Sequence, residues 1–191
     1  MFDRIEKYYR RNHLMNDEDI VRMLYAMRSI WSDFVKFSLM GVAAWFLNQL
    51  TVYLWVILVF TTCRVFLGGL HRKSFWGCAV FTAIQIFVVI YLAELCVLHN
   101  IDLVWIASAS VSIVLIVGSV VSSEKRRCSQ KRKQWFKYVT FVIEIIWMIV
   151  AWTIEENEIV RQGIYLAILL DNFQVIMAKC YENKRKELKR T

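Results

Sequence analysis

The chain contains no proline and only six glycines in 191 residues. Helix bends would therefore have to come from Gly41, Gly118 or Gly163, and no glycine-rich phosphate loop is present. Histidine is scarce as well. His13, His71 and His99 are spread along the chain without ligand spacing to any cysteine pair, which argues against a zinc or other metal site. The cysteines, Cys63, Cys78, Cys96, Cys128 and Cys180, are odd in number and irregular in spacing, so free thiols are expected in place of a disulfide framework. No Ser-His-Asp order appears, and nothing calls for a cofactor. The N-terminus mixes acids with bases and lacks an apolar core long enough for a signal peptide, so none is expected.

What the chain has is apolar residues. They make up 58% of it, and the mean hydropathy of +0.44 exceeds that of a soluble domain. The composition predicts an all-α, polytopic integral membrane protein. The net charge of +8 lies in clusters between apolar runs, a distribution that the positive-inside rule explains without nucleic acid as a partner. Residues 1–33 read as two amphipathic helices at the membrane interface, the second capped by Asn16 and followed by three acids. Residues 34–180 read as a membrane domain, and 181–191 as a basic cytoplasmic tail.

Within 34–180 the charges predict about six transmembrane helices, near 34–47, 50–67, 74–98, 103–121, 135–153 and 161–179. A turn at Asn48-Gln49 is required to keep the basic N-terminal region and the Arg64–Lys73 loop on one side. His99–Asp102 and Glu155–Glu158 then lie outside. The strongly basic 124–137 loop and both termini lie in the cytoplasm. Lys125, Arg126, Arg127, Lys131, Arg132 and Lys133 of that loop either set topology and meet lipid headgroups or recruit an acidic segment of a substrate.

One stretch carries candidate chemistry. His71 and Cys78 form the only close histidine and cysteine pair. On an unbroken helix seven residues separate them by roughly 10 Å along the axis, too far for proton transfer. Gly68-Gly69 provides a break, and Ser74 a cap for the helix that follows. His71 can then fold back from the turn. Cys78 falls in the first turns of the new helix, where free N–H groups and the positive end of the dipole favour a thiolate and can bind an oxyanion. The alternative is a loop histidine and a buried, inert cysteine. Cys128 sits among basic residues but lacks a nearby histidine. Asp171 and Glu144 are costly intramembrane carboxylates, each able to orient His71 or to pair with a neighbouring helix. Gln85, two turns beyond Cys78 on the same helix face, can line the cleft. Glu94 is too far toward the opposite side.

The pattern Arg64-x3-Gly68-Gly69-x-His71-x6-Cys78, between two hydrophobic segments, resembles the accessory gene regulator protein B (AgrB) family of bacterial membrane cysteine endopeptidases. The resemblance implies His71 as base, Cys78 as nucleophile, Arg64 and Gly69 as supporting residues, and Asp171 as the preferred orienting carboxylate. It also implies a cell-membrane location and a quorum-sensing precursor of the AgrD type as partner. The precursor's C-terminal tail would be cleaved through a Cys78 thioester, and a thiolactone or lactone ring closed. A homodimer is a further partner to consider. The chain departs from the family where prolines commonly follow the fourth span and Val121-Ser122-Ser123-Glu124 stands instead. The competing reading is a non-enzymatic peptide exporter or transporter subunit.

Overall fold

The computed structural model describes residues 2–11, 16–67, 75–117, 130–154 and 156–188. Seven helices lie among them: α1 (Phe2–Arg11), α2 (Asp17–Phe46), α3 (Leu50–Leu67), α4 (Phe75–Leu98), α5 (Val104–Val117), α6 (Gln130–Thr153) and α7 (Glu158–Leu188). The chain divides into two compact units, Met1–Phe46 and Leu47–Thr191.

In the first unit, α1 packs on α2, and an Arg10–Asp17 ion pair of 2.6 Å joins the two helices. The Asn16 carbonyl opens α2 by accepting the amides of Asp19 and Ile20, each at 3.0 Å, while the acidic first turn complements the helix dipole. The amphipathic segment and the apolar segment after residue 33 form one uninterrupted helix.

In the second unit α7 is the hub, packing against α3, α4, α5 and α6. The turns between helices rest on asparagine and aspartate. Asn48 takes φ 57° between α2 and α3, and Asn100 takes φ 53° after α4, a left-handed conformation that asparagine tolerates better than most residues. At the end of α4 the Ile101 amide donates to the Cys96 carbonyl at 2.8 Å and the Asn100 amide to Val97 at 3.1 Å. This is a Schellman closure with asparagine in the place usually held by glycine. Asp102 caps α5 through the Val104 amide at 3.1 Å, and Asn157 caps α7 through the Val160 amide at 3.2 Å.

Among the described residues, three helical segments are long and apolar enough to cross a membrane: Ala79–Leu98, Gln134–Thr153 and Glu158–Cys180. Leu50–Phe66 and Val104–Ile113 are shorter apolar helices. The six expected segments coincide with the C-terminal part of α2 and with α3 to α7, three of them meeting the length and apolarity of a full span. Helix α7 continues to Leu188, well into the segment expected to be a tail.

Side-chain ties fix the register between helices. Trp147 on α6 donates its indole N–H to Thr62 Oγ1 on α3 at 2.9 Å. Gln49, just before α3, donates to Glu94 on α4. Gln162 on α7 accepts the Leu103 amide at the start of α5 at 3.3 Å. Helix α7 packs tightly on α3 at Gly163, where an added Cβ would lie 3.3 Å from Val52 Cγ1 and from Val56 Cγ2. A larger side chain there has to push α3 and α7 apart. Gly163→Leu is therefore expected to lower stability by about 1–3 kcal/mol, measured as a fall in thermal midpoint of the purified protein. An unchanged midpoint would show that this contact is not tight.

Candidate active site

Arg64 sits in the last turn of α3 with a half-buried side chain. Its Nη2 donates to Gln174 Oε1 on α7 at 2.7 Å and to Gln85 Oε1 on α4 at 3.2 Å. Its Nε lies 3.9 Å from Asp171 Oδ1 on α7, and the guanidinium stands 4.9 Å over the Phe60 ring. Four polar side chains from three helices thus converge on one point of an apolar bundle. The guanidinium fork suits this arrangement, because it can reach several acceptors in different directions where an ammonium presents a single point of charge.

The convergence has a local origin in each helix. Asp171 and Gln174 are three residues apart and share a face of α7, the helix against which α3, α4, α5 and α6 pack. Asp171 is only 2% exposed, and Gln85 and Gln174 are buried, so each needs a polar partner inside the bundle. Three valences of the cluster remain open: Arg64 Nε, Asp171 Oδ2 and Gln174 Nε2 have no hydrogen-bond partner. The cluster therefore retains donors and an acceptor beyond those used to hold it together.

Cys78 lies on α4 seven residues before Gln85, which by helix geometry places their backbones on the same face, roughly 10 Å apart along the axis. Its backbone is described and its side chain is not. His71, Gly69 and Ser74 lie outside the described residues, as do Lys125, Arg126, Arg127 and Cys128. Lys131 is exposed in the first turn of α6, where Arg132 and Lys133 follow it in the helix. Cys63 and Cys96 are buried free thiols, and Cys180 is an exposed one.

Of the residues singled out in the sequence, the structure brings Arg64, Gln85 and Asp171 together. Glu144 is fully buried on α6 and makes no hydrogen bond into that cluster, though it lies near enough to Asp171 for the two carboxylates to interact electrostatically. Gln174 is the member that sequence reasoning missed. Its signal was available: a glutamine one turn after Asp171 in an apolar span, where unpaired amides are costly. No group of three or more His, Cys, Asp or Glu side chains suited to a metal occurs among the described residues.

The family model for accessory gene regulator B matches residues 2–178. The chain belongs to the AgrB family. The match runs from the start of α1 almost to the end of the last candidate span, so it includes the whole Arg64–Gln85–Asp171–Gln174 cluster. A protein from Clostridium beijerinckii described as AgrB-like is 21% identical over 174 residues, which cover 91% of this chain and 85% of that protein. No solved structure matches. AgrB proteins are associated with quorum sensing and with the processing of an AgrD-type propeptide. Family membership and the apolar helices together place this AgrB in a membrane.

Proposed function

We propose that this AgrB is a membrane cysteine endopeptidase that removes the C-terminal tail of an AgrD-type precursor and promotes its cyclisation. The observation that carries the reading is the family match across residues 2–178, on a chain whose Arg64 and Gln85 stand at the two ends of the stretch bearing His71 and Cys78. His71 takes the thiol proton of Cys78. The thiolate attacks a backbone carbonyl carbon, the C–N bond breaks, and the proton passes from His71 to the departing amine of the tail. The remaining acyl group is held as a thioester on Cys78. A Cys or Ser inside the precursor attacks that carbonyl, gives up its own proton, closes a thiolactone or lactone ring, and returns the Cys78 sulfur.

The cluster supports this chemistry by position. Arg64, locked to α4 and α7, fixes the point from which the 68–74 segment leaves α3, and Gly69 gives that segment its freedom to turn. Asp171 accepts the second ring N–H of His71 through the oxygen left without a partner, holding the imidazole in the tautomer that can act as base. Both chain termini are cytoplasmic in this reading, on the side of the basic loop. Release of the C-terminal tail by purified protein in lipid bilayers, detected by mass spectrometry, tests the assignment. An exporter or transporter subunit would tolerate Cys78→Ser, whereas the peptidase loses tail release.

The basic stretch ahead of and opening α6 is the proposed recruiting surface for acidic residues of the precursor, acting through Lys125, Arg126 and Arg127 and, in the first turns of α6, Lys131, Arg132 and Lys133. Neutralising three or more of them is expected to raise KM by about tenfold and to flatten its salt dependence, with single-turnover chemistry intact. An unchanged KM in a correctly inserted variant would leave the loop a topological role only.

A further inference from the structure

A second polar group lies on α5, α6 and α7, close enough to Asp171 of the Arg64 cluster for the carboxylates to interact electrostatically but without a part in the chemistry above. Glu144, near the middle of the Gln134–Thr153 span, is fully buried. Neither of its carboxylate oxygens has a hydrogen-bond partner. The Asn172 side-chain amide stands within hydrogen-bonding reach of it and is 2% exposed, with its own Oδ1 unpartnered. Asn172 is oriented from the other side, since its Nδ2 donates to Ser110 Oγ on α5 at 3.1 Å.

The nearby hydroxyl hydrogens are already committed. Ser110 donates to the Ala107 carbonyl at 2.7 Å. Thr140, buried one turn before Glu144 on the same face of α6, donates to the Phe136 carbonyl at 2.8 Å. Beyond the Asn172 amide, no donor among the described residues is directed at the Glu144 oxygens, in a setting where an under-compensated carboxylate is expensive. The charge count is equally uneven. Arg64 is matched by Asp171, and Glu144 has no cationic partner among the described residues.

We propose that Glu144 and Asn172, assisted by the hydroxyl oxygens of Ser110 and Thr140, bind one small monovalent cation, sodium, within the bundle. One carboxylate, one amide and two hydroxyls form a hard oxygen donor set, suited to alkali or alkaline-earth ions and poor for softer metals. A single positive charge neutralises Glu144, whereas a divalent ion would leave an excess buried charge. Sodium is chosen over potassium as the smaller ion for a closely packed bundle interior. The bound ion would tie α6 to α7 and, through Ser110, to α5. This inference rests on those three helices and is independent of the roles given to His71 and Cys78.

The test is thermal unfolding of the full-length protein in lipid nanodiscs, titrated with sodium chloride against potassium chloride and N-methylglucamine chloride at constant ionic strength. A saturable rise of roughly 5 °C in sodium is expected. The rise should disappear in Glu144→Gln and require about tenfold more sodium in Asn172→Ala. Where Glu144→Gln does not fold, retention of about one radioactive sodium ion per unaltered chain supports the site, and no retention overturns it. Equal midpoints in all three salts overturn it too, and leave a protonated Glu144 as the occupant. An equal rise in potassium removes the assignment to sodium, and a rise that persists in Glu144→Gln removes the assignment to this carboxylate.

Discussion

Cys78→Ala and His71→Ala are each expected to reduce precursor cleavage by about 10⁴-fold or more, while expression and membrane insertion persist. The size follows from the chemistry. Without the sulfur no acyl intermediate can form, and without the imidazole the thiol keeps its proton and the leaving amine receives none, so the two losses are not additive. Cys63→Ala, Cys96→Ala, Cys128→Ala and Cys180→Ala are each expected to retain cleavage, because none of them combines a helix start with a nearby histidine. The buried positions of Cys63 and Cys96 make their replacement a matter of packing. Cleavage assays on purified, reconstituted variants read the difference, and retained cleavage in Cys78→Ala would remove the cysteine from the mechanism.

The second large effect is expected at Arg64. Arg64→Ala leaves Asp171 without its charge partner and Gln85 and Gln174 without their common donor, all of them buried. Breaking such a pair from one side costs about 3–5 kcal/mol. Arg64→Lys should recover only part of this, since an ammonium cannot reproduce the fork. Loss of fold and loss of function can be separated by replacing both charges. Arg64→Met combined with Asp171→Leu removes the ion pair without leaving either charge buried alone, and its thermal midpoint should return close to that of the unaltered protein. Its cleavage rate should stay down by about 100-fold, because the group proposed to orient His71 and the anchor at the end of α3 are both gone and small misplacements of reacting groups are costly. A double variant with normal cleavage would reduce the cluster to a stability element.

Helix positions and turn chemistry were largely legible in the sequence, because both are written locally. Asn16, Asn48 and the 99–102 segment were visible as a cap and as turns, and the structure uses Asn16, Asn48, Asn100 and Asp102 at those places. The continuity of α2 was not legible. Composition changes sharply near residue 33 from mixed charged to apolar, yet no glycine or proline stands there, and a helical backbone continues across a change of polarity. The same reasoning covers the C-terminal part of α7, whose basic residues alter its surroundings without breaking its hydrogen bonds.

The polar cluster was legible in its members and hidden in its pairing. Arg64, Gln85 and Asp171 stand out because apolar spans rarely carry such groups. Periodicity assigns each to a face of its own helix but cannot say which faces meet across more than a hundred residues, so the link from Arg64 to Asp171 and Gln174 appears only once α3, α4 and α7 are packed. For the same reason the residues alone left Glu144 and Asp171 as alternatives for orienting His71, and only the family resemblance preferred Asp171. In the bundle one faces an arginine and the other an asparagine.

The central claim is a thioester on Cys78, and the most direct measurement is to trap it. A precursor whose internal Cys or Ser is replaced by alanine can donate its acyl group but cannot close a ring. Incubated with the protein in bilayers, it should release its tail and leave a covalent adduct on Cys78 that hydroxylamine removes and that mass spectrometry locates to that residue. Absence of any adduct on Cys78, with the tail still released, would contradict the account.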